Sequence, residues 1–472
     1  MSQPAPQPQS ESDIISGLID RGRSAMAVFA NADQARVDEA VTALCWSIYK
    51  TENAIELAEL AVQDTGLGNV TDKIIKNQRK NFGTLRDLLR VKTVGVIEEM
   101  PEKGLVKYAK PVGVVGAVVP STNPAATPAN KAMMAIKGRN AVIIAPSPAG
   151  MSTTGRTVEL MRAELEKIGL PADLVQMLPP PISKELTQAL MEACDLVVVT
   201  GSQNNVKRAY SSGTPAIGVG AGNVPVIIDS TADLADAAEK ICASKTFDNS
   251  TSCSSENSVT IVEEIYDDAI QALKDAGGYM AVPEDKSKIV ENLWPDGKLN
   301  RRVLAKDCDI LARELGLPAE AEGAKFIMVE DDGVGREHPL SGEKLSLVLT
   351  VYKVKDFDAA MEHTQNVLNY QGMGHSIGIH TNTPEHATRL AEDMDVVRVL
   401  VNQAHTFGNG GSFNNGLNFT LTMGCGTWAG NAISENLGYQ HFINITHLVT
   451  TIPEDKPSED SLFLSYWEKN GK

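Results

Sequence analysis

One short stretch of the chain combines small polar residues with a single thiol, Cys253: residues 247–258 read Phe-Asp-Asn-Ser-Thr-Ser-Cys-Ser-Ser-Glu-Asn-Ser. A cysteine attacks a carbonyl as its thiolate, and the pKa of a free thiol is about 8.5. A loop with many backbone N–H groups and hydroxyls can lower that pKa, and small side chains leave room for a substrate. Most free cysteines are instead inert core residues. Taken alone, the stretch leaves a nucleophile and a core cysteine equally open.

Three turns after predicted strands supply further polar groups. The apolar runs are residues 112–119, 141–145 and 196–200, and the turns after them are residues 120–124, 145–148 and 200–202. These strands alternate with helical patterns, as in a doubly wound parallel sheet. Ligands of such sheets bind at the carboxyl ends of the strands, so the three turns should line one crevice. A glycine-rich segment at 218–223 is a structural turn more readily than a phosphate-binding loop.

Composition and charge exclude several classes of function. The chain has 472 residues, of which 43 are basic and 60 acidic, and its net charge of −17 argues against binding nucleic acid or an anionic membrane. The six cysteines lack the spacing of a disulfide framework or a metal site, so we expect no metal and a reducing, cytoplasmic location. No apolar run is long enough to span a membrane. Residues 1–12 are rich in Pro, Gln and Ser, which predicts a disordered leader.

Other elements must position the thiol and the turns. Residues 13–90 show helical periodicity, and two strand-like runs at 91–97 and 104–110 predict a hairpin. Beyond Cys253, apolar runs alternate with helical segments again; the runs are residues 259–262, 325–329, 348–352, 376–380 and 397–401. The predicted fold class is therefore α/β, with two doubly wound parallel-sheet domains and a β-hairpin.

Several motifs, in their order along the chain, resemble the aldehyde dehydrogenase superfamily. They are Pro-Ser-Thr-Asn-Pro at 120–124, Thr-Gly-Ser at 200–202, Gly-Val-Gly-Ala-Gly-Asn-Val-Pro at 218–225, and Cys253. The segments 337–346 (Glu-His-Pro-Leu-Ser-Gly-Glu-Lys-Leu-Ser) and 424–436 resemble the CoA-acylating branch, and within it the acylating sulfoacetaldehyde dehydrogenases. The resemblance covers nearly the whole chain after Ile14.

The resemblance implies a domain organisation and an assembly. The implied parts are a cofactor-binding domain at 13–230 with an oligomerisation hairpin at 91–110, a catalytic domain at 231–430, and a C-terminal oligomerisation and tail segment at 431–472. The hairpin is similar to the element that this family exchanges between subunits. A homodimer or homotetramer is therefore expected, with a small aldehyde and CoA as its substrates.

The resemblance also assigns roles to individual residues. Cys253 matches the nucleophile that forms a thiohemiacetal and then an acyl thioester. Asn123 matches the residue whose amide, with the Cys253 N–H, holds the oxyanion; a turn asparagine before a proline is the alternative. Glu343 matches the glutamate that binds the nicotinamide ribose. The other residues expected to bind the cofactor are Ser147, Thr200, Gly201, Ser202 and Gly220.

Two departures from the family pattern bear on the reaction. Hydrolytic members carry a water-activating glutamate where this chain has Val219, and valine cannot accept a proton. The thiol of CoA is therefore the implied acyl acceptor. NAD-preferring relatives place Lys and Glu in the stretch that here reads Ala-Pro-Ser-Pro, at 145–148. Without that carboxylate a 2′-phosphate is not repelled, which favours NADP over NAD.

The aldehyde stays open at this point. Sulfoacetaldehyde fits the subgroup, and acetaldehyde, propionaldehyde and succinate semialdehyde are alternatives. Arg301, Arg302 and His405 are candidate partners for an anionic substituent, although single charges are more often solvated surface. The competing functions are a hydrolytic NAD-dependent aldehyde dehydrogenase, a glutamyl-phosphate reductase, and a non-enzymatic scaffold on the same fold, for which Cys253 would be dispensable.

Overall fold

Fifteen strands form three sheets in the computed structural model, which describes residues 10–472. The strands are β1 (Gly95–Met100), β2 (Leu105–Pro111), β3 (Val114–Val118), β4 (Ala141–Ala145), β5 (Val175–Met177), β6 (Leu196–Thr200), β7 (Ala216–Val219), β8 (Val224–Ile228), β9 (Glu256–Val262), β10 (Gly278–Met280), β11 (Phe326–Glu330), β12 (Val348–Val354), β13 (Ile377–His380), β14 (Val399–Val401) and β15 (Ile443–Val449). The sheet orders are β1-β2-β15, β5-β4-β3-β6-β7 and β10-β11-β12-β9-β8-β13-β14.

The helices lie around these sheets. They are α1 (Glu11–Phe29), α2 (Gln34–Tyr49), α3 (Thr51–Thr65), α4 (Val70–Leu89), α5 (Ala126–Lys137), α6 (Met151–Lys167), α7 (Lys184–Ala193), α8 (Gln203–Tyr210), α9 (Leu234–Thr246), α10 (Tyr266–Asp275), α11 (Lys286–Leu293), α12 (Cys308–Leu315), α13 (Ala319–Glu322), α14 (Phe357–Tyr370), α15 (Pro384–Asp393), α16 (His405–Gly408) and α17 (Glu459–Asn470). Among the described residues, no helix combines the length and apolar character needed to cross a membrane. The predicted leader comprised residues 1–12, and residues 1–9 lie outside the described part. Ser10 caps α1, and Glu11 and Ser12 belong to this helix, so the leader was predicted two residues too long.

Strand β3 shows how the five-stranded sheet holds helices on both faces. The strand pairs of this sheet are all parallel. Val115 and Ala117 of β3 join an apolar core with α2, α5 and α6, whereas Val114 and Val118 join a second core with α1 and α7. Alternate residues of one strand thus serve two helical layers, and the predicted doubly wound parallel sheet is confirmed.

The seven-stranded sheet is also parallel, and Cys253 lies just before its strand β9. Strand β8 pairs with β9 and β13. It therefore belongs to this sheet, although the predicted domain boundary after residue 230 placed it with the first one. The chain crosses from one sheet to the other through residues 220–223.

The prediction of a loop at 218–223 was partly wrong. Gly218 and Val219 lie on β7, where Val219 pairs with Thr200 of β6. Glycine suggested a turn, but Gly218 is used for packing: a Cβ at 218 would lie 2.7 Å from Cγ1 of Val206. The short strand β10 was not predicted, because it has only three half-buried residues.

The third sheet joins the predicted hairpin to a strand near the C-terminus. β1 and β2 are antiparallel, and β15 pairs antiparallel with the other edge of β2. The first strand begins at Gly95, not at residue 91. Thr93 is tied instead to the helices, because its N–H donates to Gln34 Oε1 at 2.8 Å and its hydroxyl to the Lys137 carbonyl at 2.7 Å. The last helix, α17, buries none of its residues.

Candidate active site

The loop before Cys253 has a strained backbone. Asp248, Asn249 and Ser250 have φ angles of 50°, 51° and 62°, in the left-handed region that residues other than glycine disfavour. Each such residue costs on the order of 1–3 kcal/mol, so its surroundings must hold it in place. Each has a side-chain bond to a neighbouring segment: Asp248 to Lys73 (3.0 Å) and Lys76 of α4, Asn249 Nδ2 to Asp307 Oδ1 (2.8 Å), and Ser250 Oγ to the Lys245 carbonyl (2.6 Å).

Cys253 differs from the other cysteines in its exposure. It is half-buried, whereas the others are buried: Cys45, Cys194, Cys242, Cys308 and Cys425. Burial, followed by the charge of Glu343, raises the pKa of the Cys253 thiol to about 12. The guanidinium of Arg398 acts against this shift. The thiol is therefore protonated at neutral pH in this structure, and its conversion to the thiolate needs further positive charge or a base nearby.

Gly222 and Glu343 lie directly beside Cys253. A Cβ on Gly222 would stand 2.4 Å from the Cys253 carbonyl oxygen and 3.0 Å from the Cys253 Cβ, so no larger residue fits there without a shift of the loop. The backbone N–H of Gly222 lies near the Glu343 carboxylate and acts to lower its pKa. Burial raises the pKa of Glu343 to about 7. The segment between the two sheets and the 337–346 motif thus meet at Cys253.

Asn123 follows β3 in the first of the predicted turns. Its Oδ1 is buried without a hydrogen-bond partner, and its Nδ2 has only a long contact of 3.5 Å with Thr122 Oγ1. The Thr122 carbonyl accepts from Lys73 Nζ at 3.3 Å, and Lys73 also pairs with Asp248. One lysine therefore bridges the Asn123 turn and the loop that leads to Cys253.

The Asn123 and Ser147 turns are neighbours, as the crevice prediction requires. Ser147 is half-buried and precedes a short 3-10 turn that leads into α6. A Cβ on Gly150 would lie 2.7 Å from the Pro124 Cβ. Thr154 Oγ1 donates to the Pro124 carbonyl at 2.8 Å. The carboxyl ends of β3 and β4 therefore lie side by side.

The third turn, at the end of β6, has free space around its glycine. A Cβ on Gly201 would contact nothing within 4 Å. Ser202 caps α8 by accepting from the Asn205 N–H at 3.4 Å, and Thr200 Oγ1 lies 2.6 Å from Thr422 Oγ1. An open glycine followed by a helix N-terminus suits a phosphate group, which the backbone N–H groups and the helix dipole stabilise.

Gly220, which was also expected to bind the cofactor, has no such free space beside it. A Cβ there would lie 1.7 Å from Gln203 Oε1, so the Gln203 side chain fills the space beside Gly220 in this structure. The lack of a side chain at 220 is thus explained by a contact within the protein.

Arg398 near Cys253 was missed by the sequence analysis. It is buried and donates to the carbonyls of His375 at 2.9 Å and Gly424 at 2.8 Å. Its charge lowers the pKa of Cys253 and of Cys425, against the larger effect of burial. The available signal was a charge inside an apolar run, since residues 396–401 read Val-Val-Arg-Val-Leu-Val. Gly222 belongs to the 218–225 motif, but its contact with Cys253 is not visible in the sequence.

Comparisons with known proteins identify the family of this chain. Residues 46–288 match the model of the aldehyde dehydrogenase family. A sulfoacetaldehyde dehydrogenase (acylating) from Cupriavidus necator is 49% identical over 100% of this chain and 96% of its own length. One from Bilophila wadsworthia is 43% identical over 97% of this chain and 99% of its own. The structure of an acetylating aldehyde dehydrogenase from Geobacillus thermoglucosidasius is 34% identical and has a TM-score of 0.90, covering 95% of this chain and 98% of that one.

The resemblance predicted from the motifs is confirmed by these similarities, and so is the acylating class. Enzymes of this class oxidise an aldehyde with NAD(P)+ and pass the acyl group to CoA. By full-length similarity and by fold, this chain belongs to the aldehyde dehydrogenase family and is a CoA-acylating aldehyde dehydrogenase.

Proposed function

We propose that this enzyme oxidises sulfoacetaldehyde to sulfoacetyl-CoA, with NADP+ as the hydride acceptor. The choice of sulfoacetaldehyde as the substrate is supported by the 49% identity, along the entire chain, to an enzyme named for sulfoacetaldehyde. The test is a comparison of kcat/KM for sulfoacetaldehyde, acetaldehyde, propionaldehyde and succinate semialdehyde, each with CoA. Sulfoacetaldehyde should give the highest kcat/KM. A higher kcat/KM for another aldehyde would show that the other aldehyde is the preferred substrate.

In the proposed mechanism Cys253 supplies the nucleophile. Its thiolate adds to the aldehyde carbonyl and forms a thiohemiacetal, and the carbonyl oxygen becomes an oxyanion. Asn123 Nδ2 has no strong partner, which leaves it free to donate to that oxygen together with the Cys253 N–H. Lys73 supports this role, since it fixes the Asn123 turn relative to the Cys253 loop.

The dinucleotide is proposed to bind across the ends of β4 and β6. Gly201 and Ser202 offer free space and a helix N-terminus to the pyrophosphate, and Glu343 would accept from the nicotinamide ribose. A dinucleotide held by these residues would supply the hydride acceptor that is needed to oxidise the Cys253 thiohemiacetal to an acyl thioester. The CoA thiol then attacks the thioester carbonyl, and Cys253 leaves as the thiolate. The sum is aldehyde, NADP+ and CoA giving acyl-CoA, NADPH and one proton.

The preference for NADP is proposed from the turn after β4. Residues 145–150 contain no carboxylate that would repel a 2′-phosphate, and Ser147 is accessible there. The ratio of kcat/KM for NADP to that for NAD should exceed one in the wild type. Ser147→Asp should lower this ratio, because it adds a negative charge to the turn. A wild-type preference for NAD would contradict the proposal.

We also propose a homo-oligomer in a reducing, cytoplasmic compartment. Ile445, Leu448 and Val449 on the edge strand β15 are exposed, as are Leu462 and Tyr466 of α17. Apolar surface of this kind is typical of interfaces. All the cysteines are free, in keeping with a reducing environment. Light scattering after size exclusion should give a dimer or tetramer mass, and a monomer would contradict this assembly.

A further inference from the structure

Helix α4 buries its lysines and exposes apolar residues. Lys73, Lys76 and Lys80 are only 4%, 4% and 8% exposed, whereas Ile75 and Phe82 are 42% and 47% exposed. This is the reverse of the usual pattern on a helix, and burying an ammonium group is costly unless it is paired. The three lysines therefore need partners, and their partners differ.

Lys73 and Lys76 have their partners within the protein. Both bond to the Asp248 carboxylate, and Lys76 Nζ also donates to Thr251 Oγ1 at 2.9 Å. Their charges hold the strained loop before Cys253. They are therefore positioning residues, since both ammonium groups already bond to the Asp248 carboxylate.

Lys80 and Arg79 lack such a partner. No carboxylate lies within 4.0 Å of Lys80 or Arg79 in residues 10–472. Lys80 Nζ donates to the Gly410 carbonyl at 3.1 Å, and an ammonium group has further N–H donors. Arg79 donates to Ser412 Oγ at 3.0 Å, while its Nε is buried without a partner. Two cationic groups on adjacent residues thus contact the same loop, at Gly410 and Ser412, and both keep N–H donors that are free for a further hydrogen bond.

That loop links the two cations to the segment that carries Cys253. Asn409, which precedes Gly410, donates to Ser254 Oγ at 3.1 Å, and Ser254 follows Cys253. A Cys253 thiolate is close enough to Lys80 to raise the pKa of this lysine, against the larger lowering by burial to about 7. An anion bound at Lys80 and Arg79 would therefore lie close to the reacting carbon.

We propose that Lys80 and Arg79 form a subsite that binds the sulfonate group of the aldehyde substrate. The inference rests on the proposed substrate. In sulfoacetaldehyde the sulfonate is on the carbon next to the carbonyl carbon, so its binding group must be near Cys253. Ammonium and guanidinium groups donate charge-assisted hydrogen bonds to such oxygens. The sulfonate in turn supplies a negative charge to the buried Lys80 and the half-buried Arg79, neither of which pairs with a carboxylate of the described residues.

The basic residues considered from the sequence do not fit this role. Arg301 and Arg302 are exposed. His405 is buried, and burial lowers its pKa to about 3, so it carries no charge at neutral pH. The sequence gives no signal for Lys80, because a lysine on a predicted helix is normally solvated.

The test compares a charged with an uncharged aldehyde in Lys80→Met, Lys80→Arg and Arg79→Gln. The measured quantity is the kcat/KM for sulfoacetaldehyde divided by that for propionaldehyde. Losing one hydrogen bond to a charged group should lower this ratio roughly 10- to 100-fold in Lys80→Met and in Arg79→Gln, mainly through KM for sulfoacetaldehyde. Lys80→Arg keeps the charge and should retain more of the ratio. Lys355→Met changes an exposed lysine and should leave the ratio as in the wild type.

A second measurement keeps this test separate from the choice of substrate. Ethanesulfonate, which has no aldehyde group, should compete with propionaldehyde in the wild type and much less in Lys80→Met. The wild type could prefer another aldehyde while ethanesulfonate still competes in the wild type and not in Lys80→Met. This result would contradict the proposed substrate and support the anion subsite. An unchanged ratio in both Lys80→Met and Arg79→Gln, or an equal loss for both aldehydes in folded variants, would overturn the subsite.

Discussion

Gly222 lies so close to Cys253 that a Cβ on residue 222 would stand 2.4 Å from the Cys253 carbonyl oxygen. The contact joins the segment between the two sheets to the Cys253 loop. The N–H of the same glycine lies near the Glu343 carboxylate. The position of the thiol thus depends on a residue that carries no functional group.

Gly222→Ala should therefore damage catalysis more than folding. The added methyl group must push the Cys253 loop away, and a misplacement of about 1 Å can cost about 10²-fold in rate. We expect a loss of that order in kcat/KM, with a thermal midpoint close to that of the wild type. Gly323→Ala is the matched control, since its Cβ would contact nothing within 4 Å. Equal activity in the two variants would show that the close approach is irrelevant.

Asn123→Ala should remove one donor to the oxyanion. The expected loss of transition-state stabilisation is about 2.7–4 kcal/mol, seen in the rate of acylation. Pre-steady-state formation of NADPH measures this rate, and a fluorescence titration measures the dissociation constant for NADP. A loss confined to that dissociation constant would make Asn123 a cofactor-binding residue instead.

The sequence anticipated the sheets better than the site. Strands β4 and β6 were predicted with the observed bounds, because each is a continuous apolar run between turn residues. Cys253 and Glu343 were found from motifs and lie together in the structure. The buried lysines of α4 were not found, since helical periodicity does not reveal a helix whose charged face is buried. Val219 was placed in a loop because its glycine neighbours resemble a turn, and only pairing with β6 shows it on a strand.

The raised pKa of Cys253 predicts a distinctive pH dependence of its alkylation. As long as the pH is below the thiol pKa of about 12, the thiolate fraction grows about tenfold per pH unit. Without cofactor, the rate of reaction with iodoacetamide at Cys253 should therefore rise between pH 8 and about 10 without a plateau. Mass spectrometry of the peptide gives the rate, and Cys253→Ala, which should form no NADPH, gives the background. A plateau near pH 8 would mean that the thiol is not perturbed in this way.

Glu343→Gln should change that profile only above neutral pH. The pKa of Glu343 is about 7, so its carboxyl group is neutral below this pH and ionised above it. Only the ionised form raises the pKa of Cys253. The variant should therefore be alkylated faster than the wild type at pH 8.5 and at the same rate at pH 6. Identical rates at both pH values would show that the two groups do not interact.

The fate of the acyl group depends on residue 219. Val219 is 1% exposed on β7 and cannot activate water as the glutamate of hydrolytic relatives does. The acyl thioester on Cys253 should therefore persist until another thiol attacks it.

The claim that CoA, and not water, accepts the acyl group is tested most directly by NADPH formation with sulfoacetaldehyde and NADP+ before and after CoA is added. Without CoA, the enzyme should form at most one NADPH per active site in a burst and then stop. With CoA, turnover should resume, and each further NADPH should match one acyl-CoA. Sustained NADPH formation with free acid as the product, in the absence of CoA, would contradict the account.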